Sequence, residues 1–458
     1  MWRILLSIII ALGSVINVCA QSDGMVECWS GKLSVGGAKL GMSFAIKTLP
    51  DSSQVCTMDV PQQNAKNIPV TLVKNDSEVL EISIPLLGAS YKGRKVQPTA
   101  IEGTFVQRGM SLPLNLELGT LELNRPQTPK PPYMYATEDV TFSNDAEGAV
   151  LSGTLTYPVN YYLVPKDSIP VVLMVTGSGA QNRDEEIFDH KPFLVIADFL
   201  AKNGIASLRY DDRGVGKSTG PTAGTTTENN LADAEAGIAY LRSLGTFGKV
   251  GVLGHSEGGT IAFMMGANKS VDFLVSLAGT AISGVDVIVG QNEAIMKQQG
   301  VPVSVISDYA KALRMVYNDR VDGKSVADVS KYVDDLCAAH QLALSDAYKA
   351  NLAQCFTAGG EWITWFLAYD PIDAIRKITC PVMALNGDMD LQVLSEDNLP
   401  VIKENLPTGD KNTIKEYSSL NHLFQHTTPQ VGLNYGAIEE TISEEVLHDI
   451  QSWINTIK

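Results

Sequence analysis

Apolar and polar residues alternate one by one through the N-terminal part of the chain. The alternation is clear over 31–35, 41–46 and 79–84, and glycine, proline and asparagine separate these short segments. A period of two is typical of strands that bury one face. Residues 21 to about 125 therefore predict a small all-β domain.

A proline-rich stretch follows this region. Residues 124–132 contain four prolines, at positions 126, 129, 131 and 132. Such a stretch is stiff and extended and can serve as a linker. We therefore expect a domain boundary here, with a second domain over residues 126–458.

Strands and helices alternate through the second domain. It opens with a β-hairpin over 140–142 and 151–157, and Val171–Val175 is a continuous apolar run of the kind that is buried on both faces of a parallel sheet. The predicted order after this run is helix 193–203, strand 206–210, helix 231–244, strand 250–253, a helix after residue 256, strand 273–277, strand 382–385, strand 413–417 and helix 443–456. This alternation predicts a doubly wound, mostly parallel α/β sheet.

About a hundred residues interrupt the alternation. Between 282 and 377 the pattern is helical, and the next apolar strand is 382–385. A long helical insertion between two strands of one sheet is most simply a cap over the active-site end of that sheet. We therefore expect a helical cap over about 282–377.

The first twenty residues have the pattern of a secretory signal peptide. A short basic start is followed by an almost wholly apolar stretch over 4–18 and by small residues around Ala20. Lipidation of Cys19 is an alternative, but a lipoprotein signal wants a smaller residue than Val18 before the cysteine. The pattern predicts an exported protein, periplasmic or secreted, and no later stretch is apolar enough to predict a membrane span.

Composition narrows the classes of partner. The chain has 458 residues, of which 45% are hydrophobic and 19% charged, as in ordinary globular proteins. Its 51 acidic residues exceed its 35 basic ones, which gives a net charge of −16. This balance argues against nucleic acid or an anionic membrane as a partner. The oligomeric state cannot be inferred from these features.

Cysteines raise the question of disulfides, because export would permit them. Cys28 with Cys56 and Cys337 with Cys355 are plausible local pairs, which leaves Cys380 alone. The connectivity cannot be deduced from sequence. No cysteine–histidine cluster has metal-ligand spacing, so we expect no metal and no cofactor.

The strongest chemical signal is the pentapeptide Gly254-His255-Ser256-Glu257-Gly258. It directly follows the predicted strand 250–253 and directly precedes an apolar helical run. A serine at such a strand-to-helix turn is forced into a strained conformation that exposes its hydroxyl at the N-terminus of a helix, whose dipole favours developing negative charge. Strand, turn and helix together predict Ser256 as a nucleophile of an α/β-hydrolase fold.

A serine nucleophile needs a histidine as its base. In this fold the histidine follows the last strand, which leaves His422, His426 and His448 as candidates. His422 comes shortly after strand 413–417, where a loop can reach Ser256, whereas His448 belongs to the predicted terminal helix. We favour His422 and keep His426 as the alternative. Three other histidines are disfavoured by their positions: His190, His255 and His340.

The histidine needs an acid that orients it, and two aspartates compete. Asp388 and Asp390 both follow strand 382–385. Asp388 suits a turn position, where its side chain would bond to local backbone N–H groups. Asp390 is deeper in the loop and better placed to meet the imidazole, so we favour it.

Acyl transfer also needs donors for an oxyanion. One is expected to be the backbone N–H of Glu257. The second is expected from the glycine-rich loop after strand Val171–Val175, with Ser178 first and Gly179 next. Arg183 comes a few residues later in this loop, so we expect it at the rim of the site in contact with substrate.

Five segments in order resemble those of bacterial α/β-hydrolase esterases of the prolyl-oligopeptidase-like clan. The resemblance runs from about residue 140 to the C-terminus. The similar segments are Gly177-Ser178-Gly179-Ala180-Gln181-Asn182-Arg183-Asp184, residues 209–218, Gly254 to Gly258, residues 385–393 and residues 421–425.

The resemblance implies hydrolysis of carboxylic esters with short acyl chains, and it supports Asp390 and His422 over their rivals. A small-molecule ester is the substrate implied. Because the clan includes peptidases, a serine peptidase or amidase is an alternative, although the chain lacks the β-propeller that those peptidases commonly carry. A non-catalytic binding protein on the same fold is a further alternative. A β domain is also found before such hydrolases, without an implied role.

Overall fold

The computed structural model describes residues 26–35, 38–63, 65–121 and 123–457. The predicted signal peptide lies outside these residues. The described chain divides into two compact units. The first contains the residues up to Pro126 together with 187–189 and 434–439, and the second contains the rest.

The first unit is an all-β barrel. Its strands within the described residues are β1 Val26–Val35, β2 Ala38–Thr48, β3 Gln54–Val60, β4 Ala65–Asn75, β5 Val79–Ile84, β6 Ala89–Gln97, β7 Ala100–Gln107, β8 Met110–Pro113 and β9 Leu116–Leu118. Neighbours pair in antiparallel order from β1 to β6, and the pairs β6–β7, β7–β9 and β9–β1 close the sheet. Closure pairs backbone N–H and C=O groups that the edge strands of an open sheet would leave unpaired.

Alternation along each strand fills the barrel interior. In β5 the buried residues are Leu80, Ile82 and Ile84, and the residues between them are half-buried. Trp29 and Phe44 join them in the same core. The sequence-based expectation of a small all-β domain is thus confirmed.

The expected disulfides are absent from the described residues, in which all five cysteines are free thiols. Cys28 faces Ala45 of β2, and Cys56 faces Ile46 of the same strand. The two cysteines therefore lie two strands apart, at roughly 10 Å. A disulfide requires α-carbons closer than about 7 Å, so the proposed Cys28–Cys56 pair is wrong.

The second unit contains a mostly parallel sheet. Its strands within the described residues are β10 Thr137–Asn144, β11 Ala149–Thr156, β12 Val171–Val175, β13 Ala206–Tyr210, β14 Val250–His255, β15 Leu274–Leu277, β16 Val382–Gly387 and β17 Thr413–Tyr417. The order is β10-β11-β13-β12-β14-β15-β16-β17. The hairpin β10–β11 adds antiparallel strands at one edge, and β13 to β17 with β12 are parallel.

Helices cover both faces of this sheet. Those outside the cap are α1 Pro192–Lys202, α2 Thr227–Ser243, α3 Glu257–Ala267, α10 Ser395–Asn405 and α11 Glu444–Ile454. Residues of β12 alternate between two separate cores, because Leu173 belongs to one and Met174 to the other. A strand that contributes to both cores must be apolar throughout, as the sequence of β12 is.

The predicted helical insertion is present between β15 and β16. Its helices within the described residues are α4 Gly284–Gln298, α5 Val303–Val321, α6 Val329–Ala339, α7 Asp346–Thr357, α8 Gly360–Ala368 and α9 Ile372–Ile375. They enclose a core of their own around Leu313, Val316 and Val333. The sheet, the insertion and the preceding barrel confirm the predicted α/β-hydrolase architecture.

None of the helices formed by the described residues combines the length and the apolarity that a bilayer crossing requires.

Candidate active site

Ser256 occupies a strained turn between β14 and α3. Its backbone has φ 53° and ψ −118°, a conformation that a residue with a side chain seldom adopts. The backbone N–H of Ser256 donates to the carbonyl of Leu277 (2.8 Å), which ties the turn to β15. The strain is thus held by the neighbouring sheet strand, and the half-buried serine stands at the start of a helix.

Close backbone approach explains the glycines on either side of this serine. A Cβ on Gly254 would lie 1.9 Å from the carbonyl oxygen of Gly258. A Cβ on Gly258 would lie 2.1 Å from the carbonyl oxygen of Val175. Glycine is therefore required two residues before and two residues after Ser256 by backbone packing in the turn.

Asp390 and His422 form a buried pair. His422 Nδ1 donates to Asp390 Oδ2 at 2.7 Å, and both side chains are almost fully excluded from solvent. The other carboxylate oxygen, Oδ1, accepts the backbone N–H groups of Gln392 (2.7 Å) and Val393 (3.0 Å). The carboxylate is held by its own loop, so it can fix the imidazole with Nδ1 protonated and Nε2 as the basic nitrogen.

The competing residues have other partners. Asp388 is exposed and accepts the backbone N–H of Ser419 (2.6 Å), as a turn aspartate does. His426 is exposed and pairs with Glu440 through Nδ1 (2.9 Å). His448 is exposed on α11 and packs edge-on against the ring of Phe199. Asp388, His426 and His448 are thus all exposed, whereas Asp390 and His422 are buried against each other.

The first backbone N–H groups of α3 point out of the helix end without intrahelical partners. Glu257 is the first residue of α3, so its N–H is of this kind. The loop after β12 passes close to the serine, since a Cβ on Gly177 would lie 3.2 Å from Ser256 Cβ. Ser178 and Gly179 follow in this loop and are exposed, and Gly179 has φ 94°.

Arg183 has a different environment from the one expected. Its Nε and Nη2 donate to the two oxygens of the Asp211 carboxylate, at N···O distances of 3.1 and 2.6 Å. Nη2 also donates to Ser152 Oγ at 3.0 Å. Nη1 donates to Thr154 Oγ1 (2.7 Å) and Asp139 Oδ1 (3.3 Å). These contacts occupy all five N–H groups of the guanidinium, which leaves no donor for the substrate contact that the sequence suggested.

The carboxylate of Glu257 connects the turn to the cap. It is buried and accepts a hydrogen bond from Thr227 Oγ1 at 2.6 Å. Trp362 of α8 donates its indole N–H to both carboxylate oxygens, each at 3.1 Å. The residue that follows the serine therefore binds the cap through its side chain.

Asp212 lies behind the loop that follows β12. Its carboxylate accepts hydrogen bonds from Thr176 Oγ1 (3.0 Å) and from the backbone N–H of Gln181 (2.8 Å). Burial, together with the nearby charges of Glu257 and Glu185, outweighs these hydrogen bonds and raises the pKa of Asp212 to about 8. The group is therefore largely protonated at neutral pH.

Sequence reasoning missed one further pair, Glu185 and His255. Both are buried, and Glu185 Oε1 lies 2.9 Å from His255 Nδ1. From the sequence, His255 is only disfavoured as the base by its position, and no motif singles out Glu185. Seventy positions separate the two residues, so no local pattern could have revealed their contact.

Within the ranges that the structure describes, no three or more His, Cys, Asp or Glu side chains are grouped so that they could hold a metal ion.

Comparison with characterised proteins gives one curated relative. The chain is similar to the esterase EstD of Thermotoga maritima, with 24% identity over 289 residues. The aligned part is 62% of this chain and spans 63% of the length of that relative.

Solved structures of other hydrolases are also similar. The esterase Pf2001 of Pyrococcus furiosus has 14% identity and a TM-score of 0.42, with 74% of this chain and 99% of that chain covered. Est1E from Butyrivibrio proteoclasticus with bound ferulic acid has 16% identity and a TM-score of 0.42, with 69% and 97% covered. Proline iminopeptidase of Mycobacterium smegmatis has 14% identity and a TM-score of 0.42, with 70% and 98% covered.

A family match covers the region that contains the serine turn, the cap and the Asp390–His422 pair. The model of the Hydrolase_4 family, described as serine aminopeptidase S33, matches residues 191–426. The matched range is more than half of the 458 residues. The chain therefore belongs to the Hydrolase_4 family of serine hydrolases with the α/β-hydrolase fold.

Proposed function

We propose that this protein hydrolyses carboxylic esters through an acyl-enzyme intermediate. Ser256 Oγ attacks the carbonyl carbon of the ester while His422 Nε2 takes the hydroxyl proton. The protonated His422 then gives this proton to the departing alcohol, and Asp390 stabilises the imidazolium. Water, deprotonated by the same histidine, attacks the acyl carbon, and the acid leaves with Ser256 restored.

The oxyanion that forms in each half-reaction needs donors already in place. We assign this role to the backbone N–H of Glu257 and to that of Ser178, with Gly179 as the alternative to Ser178. The position of the Glu257 N–H supports the assignment, because it lies at the N-terminus of α3, where the helix dipole favours negative charge. No cofactor takes part in the proposed steps.

A single observation carries the proposal. Ser256 has a strained backbone at a strand-to-helix turn, and the Asp390–His422 pair comes from the loops after β16 and β17 of the same sheet. Such strain is maintained in proteins chiefly where function uses it. The esterase relative EstD supports ester substrates, and the resemblance to esterases supports short acyl chains.

Hydrolysis of a p-nitrophenyl ester series from acetate to decanoate tests the proposal. We expect turnover that falls as the acyl chain lengthens and that Ser256→Ala reduces by several orders of magnitude. Near-normal turnover by Ser256→Ala would refute the assignment of the nucleophile. Serine-dependent activity that rises towards decanoate would refute the short-chain preference alone.

A serine aminopeptidase or amidase is the second candidate. The description of the family to which the chain belongs favours it. Aminoacyl p-nitroanilides distinguish the two candidates. They contain an amide bond in place of the ester, and their leaving group, p-nitroaniline, is chromogenic like p-nitrophenol. A kcat/KM for anilides above that for p-nitrophenyl esters would transfer the assignment to this candidate. Failure to hydrolyse either class would favour a non-catalytic binding protein.

Export is a separate part of the proposal. The basic start, the apolar stretch over 4–18 and the small residues around Ala20 support cleavage after residue 20 and a periplasmic or secreted location. N-terminal sequencing of the mature protein from cell fractions tests this. We expect Gln21 as the first residue in the exported fraction, and an uncleaved cytoplasmic chain would contradict export.

A further inference from the structure

A second histidine and carboxylate lie beside the proposed triad. Glu185 Oε1 accepts hydrogen bonds from the backbone N–H of Gly177 (2.8 Å) and from His255 Nδ1 (2.9 Å). On the other side of the ring, His255 Nε2 lies 2.9 Å from the backbone carbonyl oxygen of His422. The pair thus connects the loop after β12, the strand end that precedes Ser256, and the loop that carries His422.

The partners determine how many protons the pair carries. A backbone carbonyl can only accept, so His255 Nε2 must carry a proton. Glu185 Oε1 accepts the N–H of Gly177, which favours an ionised carboxylate, and an ionised carboxylate can only accept from His255 Nδ1. Both ring nitrogens therefore donate, and the contacts describe a His255 imidazolium beside a Glu185 carboxylate.

The surroundings keep this ion pair away from water. Glu185 is 3% exposed and His255 is 7% exposed, and they line a small cavity with the apolar side chains of Phe193, Leu277 and Phe424. A buried charge is costly unless it is paired and hydrogen-bonded. Here the two charged groups pair with each other, and their other hydrogen bonds go to the backbone of Gly177 and of His422.

Several titratable groups face His255. Glu185 is in direct contact, the carboxylate of Asp390 is nearby, and the ring of His422 lies 4.8 Å away between centroids. Burial lowers the pKa of His255, but Glu185, the hydrogen bond to the His422 carbonyl and the charge of Asp390 outweigh burial and raise it above the ordinary value. Glu185 in turn lies near Asp212, and its negative charge contributes to the raised pKa of Asp212.

We infer that Glu185 and His255 are positioning residues, a buried ion pair that holds the loop with the oxyanion donor and the loop with His422 in register around Ser256. The inference rests on the proposed function, because it assigns these loops to the oxyanion site and to the general base. The ring of His255 packs beside the ring of His422, and the further hydrogen bonds of the pair go to backbone groups. Each acts through the backbone of a neighbour, Glu185 on Gly177 and His255 on His422.

Loss of the pair changes turnover more than binding. A displacement of catalytic groups by about 1 Å can cost about 100-fold in rate, so we expect Glu185→Gln to lower kcat by about 10- to 100-fold with little change in KM. The wild-type kcat also falls at alkaline pH: the imidazolium contacts are complete below the ordinary histidine pKa and are lost as the pH rises through the raised pKa of His255. In Glu185→Gln this alkaline fall moves to lower pH.

Nitrogen-15 NMR of the histidine rings tests the protonation state without any need for activity. The full chain is labelled at its six histidines, and His255→Gln identifies the His255 signals. At pH 7, where a free histidine is mostly neutral, we expect protons on both ring nitrogens of His255 and the loss of one of them in Glu185→Gln. A neutral His255 ring at pH 7 in the wild type would overturn the inference.

Kinetics supply the second test, with Glu186→Gln as the matched control. Glu186 is the next residue along the chain and pairs with Lys191 at 3.5 Å. We expect the control to keep wild-type kcat and pH profile, while Glu185→Gln shows both changes and Glu185→Asp recovers part of the loss. An unchanged kcat and pH profile in a folded Glu185→Gln would overturn the inference. Ester turnover that survives in Ser256→Ala would instead refute the proposed function.

Discussion

The orientation of His422 depends on one carboxylate, that of Asp390. Its neutral analogue in Asp390→Asn can turn its amide N–H towards the ring and favour the wrong tautomer, so Nε2 would no longer accept the serine proton. We expect kcat for p-nitrophenyl acetate to fall by about 10³- to 10⁴-fold. Steady-state kinetics on the purified variant provide the measurement.

Asp388→Asn is the matched control for this variant. Asp388 is two residues away in the same loop, but it is exposed and bonds to the backbone of Ser419. We expect its substitution to leave kcat within about threefold of the wild type, since surface changes of this kind cost little. Equal losses in both variants would show that the loop as a whole, rather than the Asp390 carboxylate, is what His422 requires.

The raised pKa of Asp212 makes stability depend on pH. The ordinary value of 3.8 rises to about 8 in the folded protein, so between these values the native state binds a proton that the unfolded state has lost. The free energy of unfolding therefore falls as pH rises through this window, by up to about 1.4 kcal/mol per pH unit. Asp212→Asn cannot titrate, and we expect it to gain stability relative to the wild type from pH 6 to pH 8.

Urea denaturation at several pH values measures this difference. Both proteins are compared at each pH, so that contributions from other titrating groups cancel. A stability difference that stays constant from pH 6 to pH 8 would mean that Asp212 is ionised throughout and that burial and the charges of Glu257 and Glu185 do not raise its pKa.

At the residue scale, the sequence indicated the polar groups whose roles follow from chain order. Ser256, Asp390 and His422 each lie in a loop or turn that follows a predicted strand, so topology alone suggests that they meet at one edge of the sheet. Arg183 and Glu185 differ, because their partners lie on other strands and loops. Only the folded chain shows that Arg183 is saturated by Asp211 and its neighbours.

Among the elements, α8 has a defined link to the serine turn. Trp362→Phe keeps an aromatic ring, although a smaller one, and removes the indole N–H that both oxygens of Glu257 accept. A buried carboxylate that loses a donor costs about 1–3 kcal/mol, so we expect a loss of stability in this range and a higher KM as α8 loosens. Thermal unfolding and ester kinetics on the same preparation test both effects.

Trp365→Phe is the control on the same helix. Trp365 stacks on Tyr369 at 4.7 Å between ring centroids, a contact that phenylalanine can largely keep. We expect a smaller loss of stability and an unchanged KM. If the two variants behave alike, the hydrogen bond from Trp362 to Glu257 has no special part in holding the cap.

How closely the predicted ends of an element match the observed ends depends on how the element is buried. The sequence located β12, β13 and β17 at their observed ends, because short apolar or alternating runs stop where the sheet stops. Helix α2 begins at Thr227, four residues before the predicted start. Its first turn is polar, and hydrogen bonds between Thr226 and Asn229 cap it, so apolar periodicity cannot reveal this end.

At the scale of the whole molecule, the cysteines of the described residues are separate thiols. The five described cysteines are free, and burial raises the pKa of Cys380 to about 11 and, with a contribution from Cys28, that of Cys56 to about 12. Because the thiolate is the reactive form, these two should react slowly with iodoacetamide at neutral pH in the native protein. We expect five alkylated cysteines in the mature protein after denaturation without reductant, counted by mass spectrometry. Fewer than five would indicate a disulfide that the described structure does not contain.

The proposed mechanism requires Ser256 to be a nucleophile activated by His422. Labelling with a fluorophosphonate probe tests this most directly, because the probe reacts with an activated serine whatever the natural substrate is. Peptide mapping should locate one label per chain on Ser256 in the wild type, and His422→Ala should slow labelling by orders of magnitude. A folded wild-type protein that takes no label, or takes it on another residue, would contradict the assignment of Ser256 as the activated nucleophile.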